Sequence, residues 1–558
     1  MGGSDGADIV FRDGPVYTID AASRWARAVA VRGGRIVAVG GDAEMRPFVT
    51  SRTEVIDLAG RMLLPGFQDA HVHPPSGGLD QMRVDLSRLG TVPDYLGAIA
   101  SYAGSHPDAS WITGGGWAMG AFPGGTPTAD LLDSVVPDRP AFINNRDNHG
   151  AWVNNRALEL AGITRGTPDP PDGRIERDAA GNPSGTLHEG AMRPVARLIP
   201  PVSHAERVQG LLLAQEYLHS LGITAWQDAV VGSYETFPDS FDVYLDVETS
   251  GRLTARVVGA LWWERGRGLE QLEELVERRQ RAGNGRFRAT SVKLMVDGVA
   301  ENFTAAMLDP YLKPGGGSSG NRGIDFIPRE TLLEAVPALD AAGFQAHFHV
   351  IGDRACRNAL DAIEAARLAN GWSDTRPHLA HLQVVHPDDR ARFRRLGATA
   401  TFQPLWAAHE PQMDELTLPF LGSERGGWQY PLGSLAAAGA SLAMGSDWPV
   451  SSPDPWWEIH VAVNHEMPAG YPYGAGAAGE VFMPEERIDL PAAIRAFTMG
   501  SAYVNHLDDI TGSIEVGKHA DLVVLDRDPF EAGLGALADT RVLLTMVEGR
   551  TVHEAPGF

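Results

Sequence analysis

Between residues 66 and 447, short apolar runs rich in β-branched residues alternate with stretches of helical periodicity, and this alternation limits the fold more than any other feature of the chain. The runs lie at 66–73, 222–228, 254–261, 290–297, 344–351, 378–385, 398–404 and 441–447. Strands separated by helices run parallel, because each helix carries the chain back to the edge from which the next strand starts. Eight such units predict an α/β fold, a (β/α)8 barrel of the TIM type, with reactive groups collected at the C-terminal ends of the strands. At 558 residues the chain is also too long for one hydrophobic core, so further domains are expected.

The first two runs stand much farther apart than a βα connection requires. Residues 80–205 are therefore read as an insertion, a lid or substrate domain that holds ITGGGWAMGAFPGG, RPAFINNRDNHGAWVNNRAL and the proline-rich TPDPPDGRIERDAAGNPSGTLHEGAM. Both chain ends have a different texture of short β-type runs: AVAVRGGRIVAVG and TEVIDLAG within 1–60, GSIEVGKHADLVVLD and VLLTMVEGRTVHE within 510–558. Neither end has enough strands for a stable sheet, so the two are expected to pair into one small β-sandwich. The barrel then takes 61–79 and 206–509. The tract KPGGGSSGNRG at 313–323 lacks the lysine pattern and helix start of a phosphate cradle and reads as a mobile loop.

A formal charge of −24 argues against nucleic acid, whose phosphates need clustered cations. No run has the length of a membrane span, and the start MGGSDGADIVFRDG has neither the basic nor the apolar region of a secretory signal. The lone cysteine, Cys356, has no partner for an internal disulfide and reads as a packing residue. These features point to a cytoplasmic protein acting on a small molecule, with a symmetric homodimer as the default assembly.

The chemistry concentrates in LLPGFQDAHVHP at 63–74. Alternate residues of a strand share a face, so His71 and His73 project together. An isolated His-x-His more often marks two satisfied histidines in a polar turn, but the other strands add to this pair. TSVKLMVDG puts Lys293 on one face with Asp297 in an apolar segment, where an unpaired lysine is costly. FQAHFHVIGDRA presents His347 and His349 together. HLAHLQVV has His378 and His381 three apart, so one of them is expected to face away; LAMGSDWPV ends on Asp447. Imidazoles with a carboxylate are what a divalent metal needs in order to activate water, and His71, His73, His349, His381 and Asp447 supply them around Lys293.

These motifs, with DNHGAWVNNRAL and the closing GSIEVGKHADLVVLD, occur in an order that resembles the amidohydrolase superfamily. Within it the chain is similar to the YtcJ-like branch, amidohydrolase family 3, which includes N-substituted formamide deformylases. The resemblance implies a metal-dependent hydrolase of carbon–nitrogen bonds using one or two divalent ions, zinc foremost. His71 and His73 would hold one ion, and His349 and His381 the other or a share of it. Lys293 would be a carbamate bridging two ions, and Asp447 both a ligand and the group that moves a proton from water to the leaving nitrogen. The alternative for Lys293 is a plain buried lysine paired with a carboxylate such as Asp297. Relatives carry Glu immediately before the histidine of the sixth strand; here Ala380 stands there, leaving His347 and His378 as candidates for a supporting role.

Asp147, His149 and Trp152 match a segment that looks like pocket wall, and Asp297 is a further candidate for substrate contact. Glu189 matches a family position of no assigned role. Trp117, Trp448, Trp456 and Trp457 are candidates for an apolar pocket lining, with core packing the simpler reading for each. The expected substrate is a small, partly apolar molecule with an amide or N-acyl group, N-formyl included. An ester, a carbamate, a cyclic amide or a deaminated ring is the enzymatic alternative, and a noncatalytic barrel the alternative outside enzymes.

Overall fold

All eight runs are strands in the computed structural model, which describes residues 6–22, 24–234, 237–472 and 479–558. They are β1 (Phe67–Val72), β2 (Ile223–Val231), β3 (Arg256–Trp262), β4 (Phe287–Met295), β5 (Gln345–Val350), β6 (His378–His381), β7 (Thr399–Phe402) and β8 (Ser441–Met444). The sheet runs from β1 to β8 in sequence order, and every pair in it is parallel. The outer edges meet just past β8. There Asp69 accepts from the Ser446 hydroxyl at 2.6 Å, and the Asp447 N–H donates to the His71 carbonyl at 2.8 Å. Gly445 permits the approach, since a Cβ there would stand 2.5 Å from the His71 nitrogen. The barrel is thereby nearly closed.

Alternation along each strand decides what faces where. In β5, Phe348 and Val350 join the apolar layer under the outer helices, while His347 and His349 point into the barrel. Helices Arg329–Ala341 and Asp353–Asn370 cover that layer through Leu332, Leu339, Ala359 and Ile363. Cys356 is buried among them as a packing residue.

Strands from both chain ends share one six-stranded sheet, in which Leu63–Pro65 pairs with Val16 on one side and with Leu522–Leu525 on the other. A four-stranded sheet of Ile9–Arg12, Ala28–Arg32, Arg35–Gly40 and Glu54–Asp57 shares an apolar cluster with it through Phe11, Val29, Leu63 and Val524. Leu63–Pro65, read from sequence as part of the barrel segment, thus pairs outside it. The Pro65–Gly66 dipeptide, which bends the backbone, marks the change of sheet. Of the start MGGSDGADIVFRDG, residues 1–5 lie outside the described residues.

The insertion builds its own six-stranded sheet, ordered Gly173–Arg177, Pro183–Glu189, Gly150–Val153, Ala141–Asn145, Ile112–Trp117, Val84–Asp85. Helix Val92–Ser105, capped by the Thr91 side chain, packs Tyr95 and Ile99 against Trp117 and Ile143. The tract at 313–323 is an exposed turn closed by a Leu312–Ser318 bridge. Among the described residues no helix is long and apolar enough to cross a membrane.

Candidate metal centre and active site

Parallel register sets the candidate groups side by side. Lys293 of β4 lies opposite His347 of β5, which lies opposite His378 of β6, and Met295 lies opposite His349. His71 arrives at the end of β1 and His73 just beyond it. Asp447 is brought over by the closure after β8.

The distances are short. His71 Nε2 lies 3.2 Å from Lys293 Nζ and 3.1 Å from Asp447 Oδ1. His73 Nε2 is 3.0 Å from the same oxygen, and His381 Nδ1 is 4.0 Å from Asp447 Oδ2. His71, His381 and Asp447 each place one ligand atom within 4.8 Å of the other two. His349 stands at the side, its ring 4.5 Å from that of His381 and its Nδ1 3.5 Å from Asp297.

This donor set fits a divalent cation. Within it His381 Nε2 makes no hydrogen bond among the described residues, and Asp447 Oδ1 faces the imidazole nitrogens of His71 and His73. An unpaired buried polar atom costs about 1–3 kcal/mol, so a lone imidazole nitrogen beside a shared carboxylate oxygen marks a place that a cation would fill. Burial also keeps the imidazoles neutral, with lone pairs free: it holds His71 and His349 well below the ordinary histidine range and His381 at about 3. For Asp447 burial pushes the other way, but contact with His73 and the neighbouring nitrogens outweighs it and holds the carboxylate ionised.

Lys293 is fully enclosed, and burial brings its amine down to about 7 against the pull of Asp447 and Asp228. The alternative pairing with Asp297 does not form. That carboxylate instead accepts the backbone N–H groups of Ala306, Ile351 and Gly352 at 2.8–3.0 Å.

The expectation that His378 or His381 faces away is corrected: both are buried inside the barrel. The alternation breaks because His381 has φ +78° and Leu382 φ +52°, a left-handed pair that swings the His381 ring back toward the centre. The supporting contacts that Ala380 leaves unfilled come from elsewhere. His381 Nδ1 meets Gln403 Oε1 at 2.9 Å, and His71 Nδ1 meets His347 Nε2 at 2.7 Å. His347 lies against His378 at a tilt, centroids 3.9 Å apart, and His378 is anchored by Thr401 and Gln227.

The insertion closes one wall. Asp147 and His149 line the same cavity as His71, His73, His349, His381 and Asp447. His149 Nδ1 is held by Glu189 Oε1 at 2.9 Å, and Glu189 also accepts from Thr304. Burial opposes a charge on His149, but Glu189 and Asp147 outweigh it and lift the imidazole to about 9. Glu189 itself is buried at φ +51°, and Asn148 and Asp447 share that rare backbone region. A cluster of such residues around one cavity is typical of a functional site.

Two candidates for substrate contact lie elsewhere. Trp152 is fully enclosed in the insertion core with Trp117, its Nε1 donating to Thr128 O at 2.7 Å, and Asp297 is enclosed by the backbone groups named above. Trp456 is likewise core, and Trp448 and Trp457 line a different cavity. The aromatic lining is instead Tyr234, Phe237, Trp262 and Trp406, with Trp406 stacked on His381 at 5.2 Å. Trp262 directly follows the apolar run at 254–261 and was within reach of the strand-end argument. Trp406, on the turn after β7, had no such signal.

Residues 54–553 match the profile of a family described as Amidohydrolase family. The chain belongs to the amidohydrolase family. The chain is 31% identical to Protein LONG AFTER FAR-RED 3 of Arabidopsis thaliana, over 98% of this chain and 92% of that one. It is 28% identical to the N-substituted formamide deformylase of Arthrobacter pascens, over 99% of each. Among solved structures, an uncharacterized metal-dependent hydrolase from Pyrococcus furiosus superposes on 93% of this chain and 99% of its own, with TM-score 0.69 and 26% identity.

Proposed function

We propose that this protein is a metal-dependent hydrolase of a carbon–nitrogen bond, in an amide or N-acyl group such as N-formyl, on a small and partly apolar molecule. The observation that carries the reading is the convergence of His71, His73 and His381 on the Asp447 carboxylate beside Lys293. Membership of the family, and similarity to a formamide deformylase and to a metal-dependent hydrolase, support it. His71, His73, His381 and Asp447, with His349 at the side, are the residues that would hold the cation, and an imidazole-rich set favours zinc. A cation bound there supplies a polarised carbonyl and water that ionises near neutral pH.

The chain's own groups do the rest. Asp447 Oδ takes the proton from the attacking water and passes it to the departing nitrogen. The face formed by Tyr234, Phe237, Trp262 and Trp406 packs the apolar part of the substrate and excludes bulk water. His149, fixed by Glu189, faces the carbonyl side. Lys293 holds enough neutral amine near pH 7 to take up carbon dioxide, and as a carbamate it would carry a second ion.

The test uses 4-nitroformanilide and 4-nitroacetanilide, which release 4-nitroaniline, beside the ester 4-nitrophenyl acetate. Anilide hydrolysis should vanish on exhaustive chelation and return with zinc. Asp447→Asn and His71→Ala should fold yet lose about 10²–10⁴ in rate. Turnover surviving chelation or Asp447→Asn overturns the mechanism, and cleavage of the ester alone moves the substrate to that class. Near-zero bound metal in purified protein would favour a noncatalytic barrel.

A further inference from the structure

A second cavity adjoins the first, and Tyr234 and Trp262 line both. Three guanidinium groups line it, those of Arg193, Arg197 and Arg265, against the carboxylates of Asp172 and Glu264. Asp172 is engaged by Arg193, and Glu264 is exposed to solvent.

Arg265 is the unusual member. Its guanidinium lies 4.1 Å from the ring centroid of Phe326 and 4.9 Å from that of Tyr234. Nη2 donates to Tyr234 Oη at 2.5 Å and to Met295 Sδ at 3.2 Å, while the buried Nε donates to nothing among the described residues. No carboxylate among the described residues lies within ion-pairing distance of it. An arginine partly stripped of water by aromatic rings, with the buried Glu189 carboxylate as a counter-charge it feels but does not pair with, and with Nη2 taken up by Tyr234 and Met295, keeps Nη1 as a charged donor for an anionic oxygen such as a carboxylate's.

Its place in the fold ties this group to the reaction. Arg265 lies three residues past the end of β3, whose last residue, Trp262, is the register partner of Lys293. Met295, which it touches, lines the reaction cavity. The guanidinium therefore stands at the partition between the two cavities. In a chain with formal charge −24, such a local reversal of sign draws anions to this one mouth.

We propose that the second cavity is a carboxylate subsite: the substrate is an N-acylated acid whose acyl–nitrogen bond lies in the reaction cavity, whose apolar part spans Tyr234 and Trp262, and whose carboxylate docks on Arg265 with Arg197 alongside. The reaction class rests on the function proposed above, whereas the subsite is tested by binding alone.

The experiment is calorimetric titration of the metal-loaded enzyme with N-acetylphenylalanine and with N-acetylphenylalaninamide, which differ by the one charge. The carboxylate should bind about tenfold tighter than the amide. Arg265→Gln should abolish that difference without weakening the amide, and Arg265→Lys should keep part of it. Arg197→Gln, at an exposed position, should weaken the carboxylate alone, which gives a reading even if the Arg265 variants fail to fold. Equal binding of both probes, binding of neither, or a preference that survives these glutamine variants overturns the subsite. A carboxylate preference without hydrolysis of either probe leaves the subsite standing and counts against the amide reaction.

Discussion

His347 is not a candidate ligand, yet the geometry makes metal affinity depend on it. His71 Nδ1 and His347 Nε2 are 2.7 Å apart, both side chains are fully buried, and burial holds both rings well below the ordinary histidine range, hence neutral. Two neutral imidazoles in contact share one proton. If His71 donates Nδ1–H, its Nε2 lone pair faces Lys293 and Asp447, the arrangement a ligand requires. His347→Leu removes the acceptor and leaves a buried N–H unpaired, at a cost of about 1–3 kcal/mol. Part of that cost falls on folding and part on the orientation of His71, so the expected loss of metal affinity is about 10–100-fold. His347→Gln, whose amide oxygen can accept the same proton, should recover much of it. Competition with a chromogenic zinc chelator measures the affinity, and melting of the metal-free protein measures the stability share separately. A folded His347→Leu protein that binds zinc within about twofold of wild type would show that His71 is oriented by packing alone, and the hydrogen-bond argument would fail.

Two further predictions concern the insertion. The folded value of about 9 for His149 lies above its ordinary 6.5, so its charge stabilises the protein fully below pH 6.5, and that contribution is lost as pH rises through about 9. Glu189→Gln removes the main charge behind the rise. Between pH 6.5 and 9 the wild type should therefore lose denaturant resistance relative to the variant, and parallel profiles would refute the pairing. Trp152→Phe should lower the melting temperature through loss of volume and of the bond to Thr128, at about 1–3 kcal/mol, with kcat/KM unchanged, whereas Trp406→Ala should raise KM. A kinetic effect of the first without a stability effect would return Trp152 to the pocket.

How far the site could be read from sequence depended on whether its residues obey the alternation of the strand that carries them. His71, Lys293 and His349 do, and strand periodicity puts each on the inner face; His73 continues that alternation one residue past the end of β1. His381 does not. Its register neighbour Val350 points outward, and only the left-handed turn at His381 and Leu382 brings the ring inside, an inversion that no pattern of apolar residues encodes. Glu189 and His149 meet across the hydrogen-bonded strands Pro183–Glu189 and Gly150–Val153. Their pairing follows from that sheet's register, which in turn depends on how the whole insertion folds. Trp152, a candidate for substrate contact, lies in the core, which was not legible for another reason: a large aromatic side chain carries the same sequence signature whether it faces a cavity or a core, and only the packing of Trp152 against Trp117, or of Trp406 against His381, tells them apart. The departures share a cause. His381, Asp447, Asn148 and Glu189 all hold backbone conformations that their side chains disfavour; the first three line one cavity, and Glu189 holds His149 in its wall. Local preference gives way where several distant segments must bring their polar atoms to one point, so a rule that reads each segment alone loses accuracy at the site.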